Sequence, residues 1–391
     1  MAFPTDLPIT RFREHSALLG ATAICALRGS RRIFRSGALA VLILMAPPGT
    51  AQSSAAEPAS APFYPDKTKL LVWRDAQGNE SPIATAQEWQ RRREHILSNM
   101  QLVMGPLPAS VTAPFEITVS ERVDCGRYER RKISFLAEPQ DRLTGYLLVP
   151  HGAKHRPAVL CLHQTVKIGA AEPVGLGGRP TLRYAQELAE RGYVTLAVDY
   201  PNFGEYQCDV YARGYASATM KGIANHRRAV DLLCSMDEVD PARIGVIGHS
   251  LGGHNSLFVA AFDQRIACAV TSCGFCSFPR YMQGNLAGWS HQGYMPRITE
   301  RYGADPARMP FDFPEVLAAI APRALRVVAP RHDNNFDHQG VVDCVEAARQ
   351  VYDLLGAGDK LSTDYPDAEH DFPDKSRAAA YEWMDRWIGE K

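Results

Sequence analysis

Short apolar runs alternate with amphipathic stretches through the middle of the chain. The runs have the length of buried strands, and the stretches between them repeat apolar residues at helical spacing. Strands are predicted at residues 158–162, 193–199, 243–248 and 266–272, and helices at residues 181–191, 218–236 and 251–262. This alternation requires right-handed crossovers, so it predicts an α/β fold with a mostly parallel sheet covered on both faces. Ligands of such sheets bind beyond the carboxyl ends of the strands.

The pattern changes on either side of this region. Upstream, a helix is predicted at residues 84–104, followed by strand-like segments 115–119, 132–137 and 143–149. These segments indicate an antiparallel leading edge of the sheet. Downstream, further strands are predicted at residues 325–330 and 360–365, and further helices at residues 340–355 and 376–388.

Residues 277–313 interrupt the alternation and mix aromatic residues with glycines. Such a composition is typical of a small lid or pocket wall over an active site, and equally of plain apolar packing. Both interpretations stay open for Trp289 and His291. The loop that carries Phe203, Glu205 and Tyr206 is predicted to form a second wall of the pocket.

The first residues have a different composition from the rest. Arg31 and Arg32 precede an apolar run at 37–46 and then small residues, an order typical of a twin-arginine export signal. The run is too short for a comfortable membrane anchor. We therefore predict an export leader at residues 1–56, a linker and N-terminal extension at 57–83, and a catalytic domain at 84–391 with a lid-like insertion at about 277–313. We therefore expect the protein to be periplasmic or secreted and to use the twin-arginine export machinery.

Composition narrows the function classes. Forty-three basic and 43 acidic residues give no net charge, so no electrostatic field favours nucleic acid or an anionic membrane. The pair Cys273 and Cys276 has the spacing of a redox motif but follows a late strand rather than opening a helix, which disfavours redox chemistry. His332 and His338 lack a metal-binding partner motif, so neither a metal nor an organic cofactor is predicted.

The segment Gly248-His249-Ser250-Leu251-Gly252 connects a predicted strand to a predicted helix. Gly-x-Ser-x-Gly in this context indicates a nucleophile elbow, because glycines flank a serine in a strained turn and expose its hydroxyl. The following helix directs its free N–H groups at the same point, where they can stabilise an oxyanion. Ser250 is therefore the predicted nucleophile.

A serine hydroxyl needs a base oriented by a carboxylate. His370 fits best among the five later histidines, because it lies in a proline-bracketed loop between a strand and the last helix. Asp333 is the first carboxylate beyond the preceding strand, so we expect it to be the acid. Asp337 is the alternative, and its competing role is to cap the helix at 340–355.

The oxyanion site is predicted from two backbone positions. One N–H comes from Leu251, and the other from Gln164 or Thr165 in the loop after the strand at 158–162. His163 precedes this loop and is a candidate for the pocket wall, although a histidine there is more often packed than catalytic.

At this point the chain resembles the α/β-hydrolase superfamily, and within it the bacterial branch of dienelactone hydrolases and acetyl-xylan esterases. The motifs that carry the resemblance are residues 162–165, 199–206, 248–254 and 369–373. Residues 88–93 and 105–108 also resemble secreted carbohydrate esterases, including glucuronoyl esterases. The elbow lacks the Cys-Ser-Arg of glucuronoyl esterases and the Ser-Gln-Gly-Gly of cephalosporin deacetylases, so the subfamily stays open.

The resemblance implies a serine-dependent carboxylic ester hydrolase that acts through an acyl-enzyme on carbohydrate or small aromatic esters. A prolyl-oligopeptidase-type peptidase would use the same triad, but residues 60–130 are too few for the propeller that usually precedes it. A fold that has lost activity and serves as a binding module is the third possibility, and the filled triad positions count against it.

Overall fold

The computed structural model describes residues 61–390. The predicted leader at residues 1–56 lies outside the described residues, as does the start of the predicted linker. Eleven strands are described: β1 (Val72–Arg74), β2 (Glu80–Pro82), β3 (Thr118–Asp124), β4 (Tyr128–Glu138), β5 (Asp141–Pro150), β6 (Arg156–Leu162), β7 (Val194–Val198), β8 (Val239–His249), β9 (Ile266–Ser272), β10 (Ala324–Val328) and β11 (Leu361–Asp364). The described helices are α1 (Ala86–Met104), α2 (Tyr184–Glu190), α3 (Ala218–Cys234), α4 (Leu251–Phe262), α5 (Arg297–Glu300), α6 (Phe313–Ile320), α7 (His338–Leu354) and α8 (Asp374–Ile388).

Nine of these strands form one sheet in the order β11-β10-β9-β8-β6-β7-β5-β4-β3. The six strands from β11 to β7 are parallel, and β5, β4 and β3 continue the sheet in antiparallel pairing. The predicted α/β fold with a mostly parallel sheet is confirmed. Because the parallel strands run in one direction, the loops after β6, β8, β9, β10 and β11 share one edge of the sheet.

Both faces of the sheet are buried, which is why the parallel strands are continuous apolar runs. Leu160 belongs to the hydrophobic cluster that contains residues of α1, α3, α4, α6 and α7. Its neighbours Val159 and Cys161 point to the opposite face and belong to the cluster with α2 and α8. The side-chain alternation of a strand thus distributes one apolar run between two cores.

Two elements, β3 and α6, differ from the sequence-based expectations. The edge strand predicted at residues 115–119 pairs instead as β3 (Thr118–Asp124), whose largely exposed, polar residues give little apolar signal. Helix α6 was not predicted at all, although Asp312 and Glu315 form a capping box at its start. Its eight residues are all buried, so they lack the polar face by which an amphipathic helix is recognised.

The described part of the predicted linker and extension, residues 61–83, contains the β1–β2 hairpin. Tyr64 and Leu70 are buried, and the Arg92 guanidinium of α1 lies 3.4 Å from the centre of the Tyr64 ring. Arg92 also forms a buried ion pair with Glu315 of α6. Packed structure therefore begins upstream of residue 84, the predicted start of the domain.

The insertion at 277–313 contains α5 and three short 3-10 helices. Its Trp289 is 2% exposed and packs against the side chains of His254 and Phe313, so this part of the insertion is packed rather than open. Within residues 61–390, none of the helices has both the length and the apolar character needed to cross a bilayer. The eight cysteines from Cys125 to Cys344 are free thiols.

Candidate active site

Ser250 lies at the turn between β8 and α4 with a φ of 53° and a ψ of −114°. Non-glycine residues rarely adopt a positive φ, so this backbone is strained in the way a nucleophile elbow requires. The Ser250 N–H donates to the carbonyl of Ser272 at the end of β9, 2.9 Å away, and this bond fixes the turn against the neighbouring strand.

The glycines around Ser250 are required by close backbone approach. A Cβ on Gly252 would lie 1.9 Å from the carbonyl oxygen of Leu162 at the end of β6. A Cβ on Gly248 would lie 2.2 Å from the carbonyl oxygen of Gly252 itself. Because the obstructing atoms are backbone, neither contact can be relieved by rotating a side chain. The first turn of α4 is thereby held directly against the loop that follows β6.

The structure brings His370 and Asp333 together across the carboxyl ends of β11 and β10. His370 Nδ1 lies 2.9 Å from Oδ2 and 3.0 Å from Oδ1 of Asp333. Oδ1 also accepts from the backbone N–H groups of Asn335, at 2.8 Å, and Phe336, at 3.1 Å. The Asp333 side chain is 2% exposed, whereas that of His370 is 21% exposed.

These contacts decide the protonation of Asp333. Burial alone would raise its pKa, but the hydrogen bond and positive charge of His370 and the two backbone N–H donors outweigh burial. The net pKa of Asp333 therefore lies below its ordinary value, and the carboxylate is ionised at neutral pH. An ionised carboxylate at Nδ1 keeps the proton on that nitrogen and leaves Nε2 free to accept one.

Asp337, the alternative acid, caps α7 instead. Its Oδ1 accepts from the Gly340 N–H at 2.7 Å, which is the competing role that the sequence offered. Two of the other late histidines have separate partners as well. His332 pairs with Asp367 on the surface, and His254 is buried against the Trp289 ring. The pairing of His370 thus falls on Asp333 rather than Asp337.

His163 shapes the loop that carries the predicted oxyanion donors. Its Nε2 accepts from the Tyr200 N–H at 3.0 Å, so Nδ1 carries the proton and donates to the Gln164 carbonyl at 2.6 Å. Burial lowers the pKa of His163, which agrees with a neutral ring in this tautomer. His163 is 2% exposed, so it holds the loop by these two hydrogen bonds from the buried side. The Thr165 hydroxyl lies 3.2 Å from the hydroxyl of Tyr294.

The other predicted pocket residues separate into two groups. Phe203 packs at 5.5 Å from the His163 ring, and His291 is exposed with its ring 4.3 Å from that of Tyr294, so these residues lie near the loop that carries Gln164 and Thr165. Tyr206 is 2% exposed and its hydroxyl donates to Asp141.

Glu205 forms an ion pair with Lys132 of β4, at 2.6 Å. The rings of Tyr206 and Trp289 are both buried, which favours the packing interpretation for Trp289, and a role of either residue in the pocket wall stays a prediction. For Glu205 the partner lies on the antiparallel part of the sheet, away from the elbow at the end of β8.

Several residues lie at the site although the sequence offered no reason to assign them a role there. The His249 ring is buried 4.9 Å from that of His370, and burial holds the His249 pKa well below its ordinary value. Cys273 follows β9 and its thiol lies 3.3 Å from the Asp371 carbonyl. Arg179, from the loop after β6, donates to the His370 carbonyl at 3.0 Å. Only contacts between distant segments reveal these roles, and a single sequence does not carry that signal.

One group of possible metal ligands is present among residues 61–390. The ligand atoms of Cys273, Asp333 and His370 all lie within 4.8 Å of one another. Two of these three residues already share the hydrogen bond described above, which accounts for their proximity without an ion. That no cofactor is needed stays a prediction.

Several known proteins with similar sequences are named as hydrolases or esterases. A family model described as fungal glucuronyl esterase matches residues 205–356. The putative hydrolase YtaP of Bacillus subtilis is 26% identical over 216 residues, which cover 53% of this chain and 69% of YtaP. A 4-O-methyl-glucuronoyl methylesterase of Podospora anserina is 24% identical over 303 residues, 72% of this chain and 60% of the relative.

Solved structures agree on the architecture. A glucuronoyl esterase from Solibacter usitatus superposes with a TM-score of 0.63 at 18% identity, covering 83% of this chain and 98% of that one. A putative acetyl xylan esterase from Bacteroides fragilis superposes with a TM-score of 0.55 at 18% identity, covering 72% and 76% of the two chains. At these identities the likeness concerns the fold.

The sheet order, the strained serine turn and the acid–histidine pair at one edge define a serine hydrolase of the α/β-hydrolase class. The chain has the α/β-hydrolase fold, is similar in sequence to known hydrolases and glucuronoyl esterases, and is a carboxylic ester hydrolase.

Proposed function

We propose that this esterase hydrolyses carboxylic esters of carbohydrates through an acyl-enzyme on Ser250. The observation that carries the assignment of residues is the hydrogen bond between His370 and Asp333, at the same sheet edge as the strained Ser250 turn. A serine, a histidine and an ionised acid in this chain order are the parts that acyl transfer requires.

In the first half of the reaction, Ser250 Oγ attacks the ester carbonyl carbon while its proton passes to His370 Nε2. Asp333 accepts from Nδ1 and stabilises the imidazolium. The carbon–oxygen bond of the ester then breaks, and the leaving alcohol takes the proton from Nε2. In the second half, water attacks the acyl-enzyme by the same proton transfers and releases the acid.

The negative charge on the tetrahedral oxygen needs donors that are already in place. In this proposal they are the backbone N–H of Leu251, at the first position of α4, and an N–H from Gln164 or Thr165. The positive end of α4 adds to their effect. His163 supports the arrangement by fixing the Gln164 carbonyl from below.

Carbohydrate as the substrate class is supported by two kinds of observation. The family model and the Podospora relative are named as glucuronoyl esterases. The word glucuronoyl denotes an ester in which the sugar supplies the acyl group. The rim of the site offers half-buried or exposed rings of Phe203, His291 and Tyr294 beside the Thr165 hydroxyl, a mixture of apolar faces and polar edges that suits a sugar. We therefore propose that esters of uronic acids are the preferred substrates.

The test is hydrolysis of a substrate panel. It contains a methyl glucuronate ester, an acetylated xylo-oligosaccharide, a feruloyl ester and a prolyl peptide amide, each measured with wild type and with Ser250→Ala. The proposal requires the glucuronate ester to have the highest kcat/KM and all ester activity to disappear in the variant. Preference for the acetylated sugar would keep the carbohydrate class and move the sugar to the alcohol part. Cleavage of the peptide alone would contradict the proposal in favour of a peptidase.

We further propose that the protein is exported by the twin-arginine route and works in the periplasm or outside the cell. The support is the order of Arg31, Arg32, the apolar run and the small residues in the sequence. Replacing both arginines by lysine should leave the esterase activity in the cytoplasmic fraction. Unchanged periplasmic activity of the double variant would contradict this route.

A further inference from the structure

A chain of polar contacts links the two loops on which the proposed chemistry depends. The first is the oxyanion loop, residues 163–165 after β6. The second is the histidine loop, residues 365–371 after β11. Between them lies the connecting segment 166–183, which contributes Glu172 and Arg179.

Glu172 is 1% exposed, and its Oε1 accepts two hydrogen bonds. One comes from the side-chain amide of Gln164, at 2.9 Å, and the other from the Arg179 backbone N–H, at 3.0 Å. The approach is tight, since a Cβ on Gly178, which has a φ of 75°, would lie 2.3 Å from the same oxygen. A buried carboxylate is costly unless it serves as an acceptor, so this position is specified by its two partners.

Arg179 continues the chain on its other side. Its Nη1 donates to the His370 carbonyl at 3.0 Å, and its Nη2 lies 2.8 Å from Asp371 Oδ1. The Thr181 hydroxyl donates to the same Asp371 oxygen at 2.8 Å. The guanidinium therefore holds the backbone of His370 itself, whereas Asp333 holds its ring.

We propose that Glu172 and Arg179 are positioning residues that couple the oxyanion loop to the histidine loop. A shift of either residue moves His370 relative to the oxyanion donors. Acyl transfer is sensitive to such shifts, because a misplacement of about 1 Å costs on the order of a hundredfold in rate. This inference rests on the proposed roles of His370 and Gln164 or Thr165 in catalysis.

Paired variants test the coupling. Glu172→Met removes the acceptor at similar volume, whereas Glu172→Gln keeps an acceptor oxygen, and Arg179→Met removes the guanidinium. Arg183→Met is the matched control, because Arg183 lies on the same segment and bonds to Glu187 instead. Steady-state kinetics on p-nitrophenyl acetate makes the readout independent of the natural substrate.

We expect Glu172→Met and Arg179→Met each to lower kcat about 10–100-fold with KM changed less than about twofold. Glu172→Gln should retain most of the activity, and Arg183→Met all of it. The double variant Glu172→Met/Arg179→Met should lose about as much as the worse single variant, because both break one chain. Multiplied losses in the double variant, or a rise in KM alone, would overturn the coupling.

Hydrogen–deuterium exchange supplies a readout that needs no activity. Arg179→Met and Glu172→Met should speed exchange in the peptide that contains residues 365–373, and Arg183→Met should not. Unchanged exchange in both Met variants would overturn the proposal even if activity fell. The two Met variants could show faster exchange than wild type while wild type hydrolyses no ester. In that case the proposed function fails, but the structural coupling of the two loops stands.

Discussion

The elbow around Ser250 and the loop around His370 stand at the same sheet edge but are held by different kinds of contact. The elbow is fixed by backbone atoms that touch where glycines leave room, as at Gly252 and Leu162. The histidine loop is fixed by polar groups from other segments, namely Asp333, Arg179 and Cys273. Backbone contact has no substitute, whereas hydrogen bonds can be removed one at a time. Variants of the elbow should therefore fail outright, and variants of the histidine loop should lose activity in steps.

The largest effect is expected from Gly252→Ala. The new Cβ would meet the carbonyl of Leu162 at 1.9 Å, so α4 or the oxyanion loop must move. We expect esterase activity to fall to background and the free energy of unfolding to drop by about 1–3 kcal/mol or more, as for overpacked sites. Urea unfolding and ester hydrolysis measure the two effects.

The control for this variant is Gly126→Ala. A Cβ at Gly126 meets nothing within 4 Å, and its φ is 82°, so only backbone strain is introduced. That strain costs roughly 1–2 kcal/mol and should leave the specific activity intact. Full activity in Gly252→Ala would mean that the elbow is not held by this contact.

A smaller but still large effect is expected from Asp333→Asn. The amide no longer fixes the tautomer of His370, and kcat should fall by on the order of a thousandfold or more. Asp337→Asn is the matched control, because asparagine also caps helices and the cap at α7 is worth only about 1 kcal/mol. Both variants are compared on one ester at pH 8 after circular dichroism has shown that they are folded. The reverse ranking would move the catalytic acid to Asp337.

One step further down is Thr181→Val. It removes a single hydrogen bond to Asp371 and leaves the contact of Arg179 in place. A hydrogen bond contributes about 0.5–1.5 kcal/mol, so kcat should fall only severalfold. The measurement is steady-state kinetics beside Arg179→Met. A loss in Thr181→Val that equals or exceeds that of Arg179→Met would show that the guanidinium does not dominate the anchoring of the loop.

The smallest effect is the dependence of stability on pH through Asp333. Its pKa in the folded protein lies below the ordinary value of about 3.9, so the unfolded chain takes up the proton first. The stability that Asp333 contributes is therefore complete above about pH 4 and declines as the pH falls through the folded pKa. Urea unfolding at several pH values should show the difference between wild type and Asp333→Asn shrinking below pH 4. A difference that grows there would have the wrong sign.

The elbow around Ser250 and the pair of Asp333 and His370 could be proposed from the sequence because each residue stands next to a recognisable local pattern. Ser250 stands in a five-residue motif, and Asp333 is the first carboxylate beyond an apolar strand. By contrast, α6 escaped prediction because complete burial removes the polar half of its pattern. Glu172 escaped because its partners, Gln164 and Arg179, are recognised only once the loop has folded.

Aromatic composition was a weak guide to the pocket for the same physical reason. Rings near an active site and rings in a core have the same residue types and spacing, and only burial separates them. Trp289 is buried, whereas His291, two residues later, is exposed. A loop without periodicity gives no phase by which the two could be told apart.

Covalent trapping shows directly whether Ser250 is the nucleophile. Wild type and Ser250→Ala are treated with a fluorophosphonate, digested and analysed by mass spectrometry, with unfolding curves to show that both are folded. We predict one adduct in wild type, on the peptide that contains Ser250, and none in the variant. The esterase activity of wild type should fall in proportion to labelling and reach zero when labelling is complete. An adduct on another residue that accompanies the loss of activity, or labelling that persists in Ser250→Ala, would contradict the assignment of Ser250 as the nucleophile.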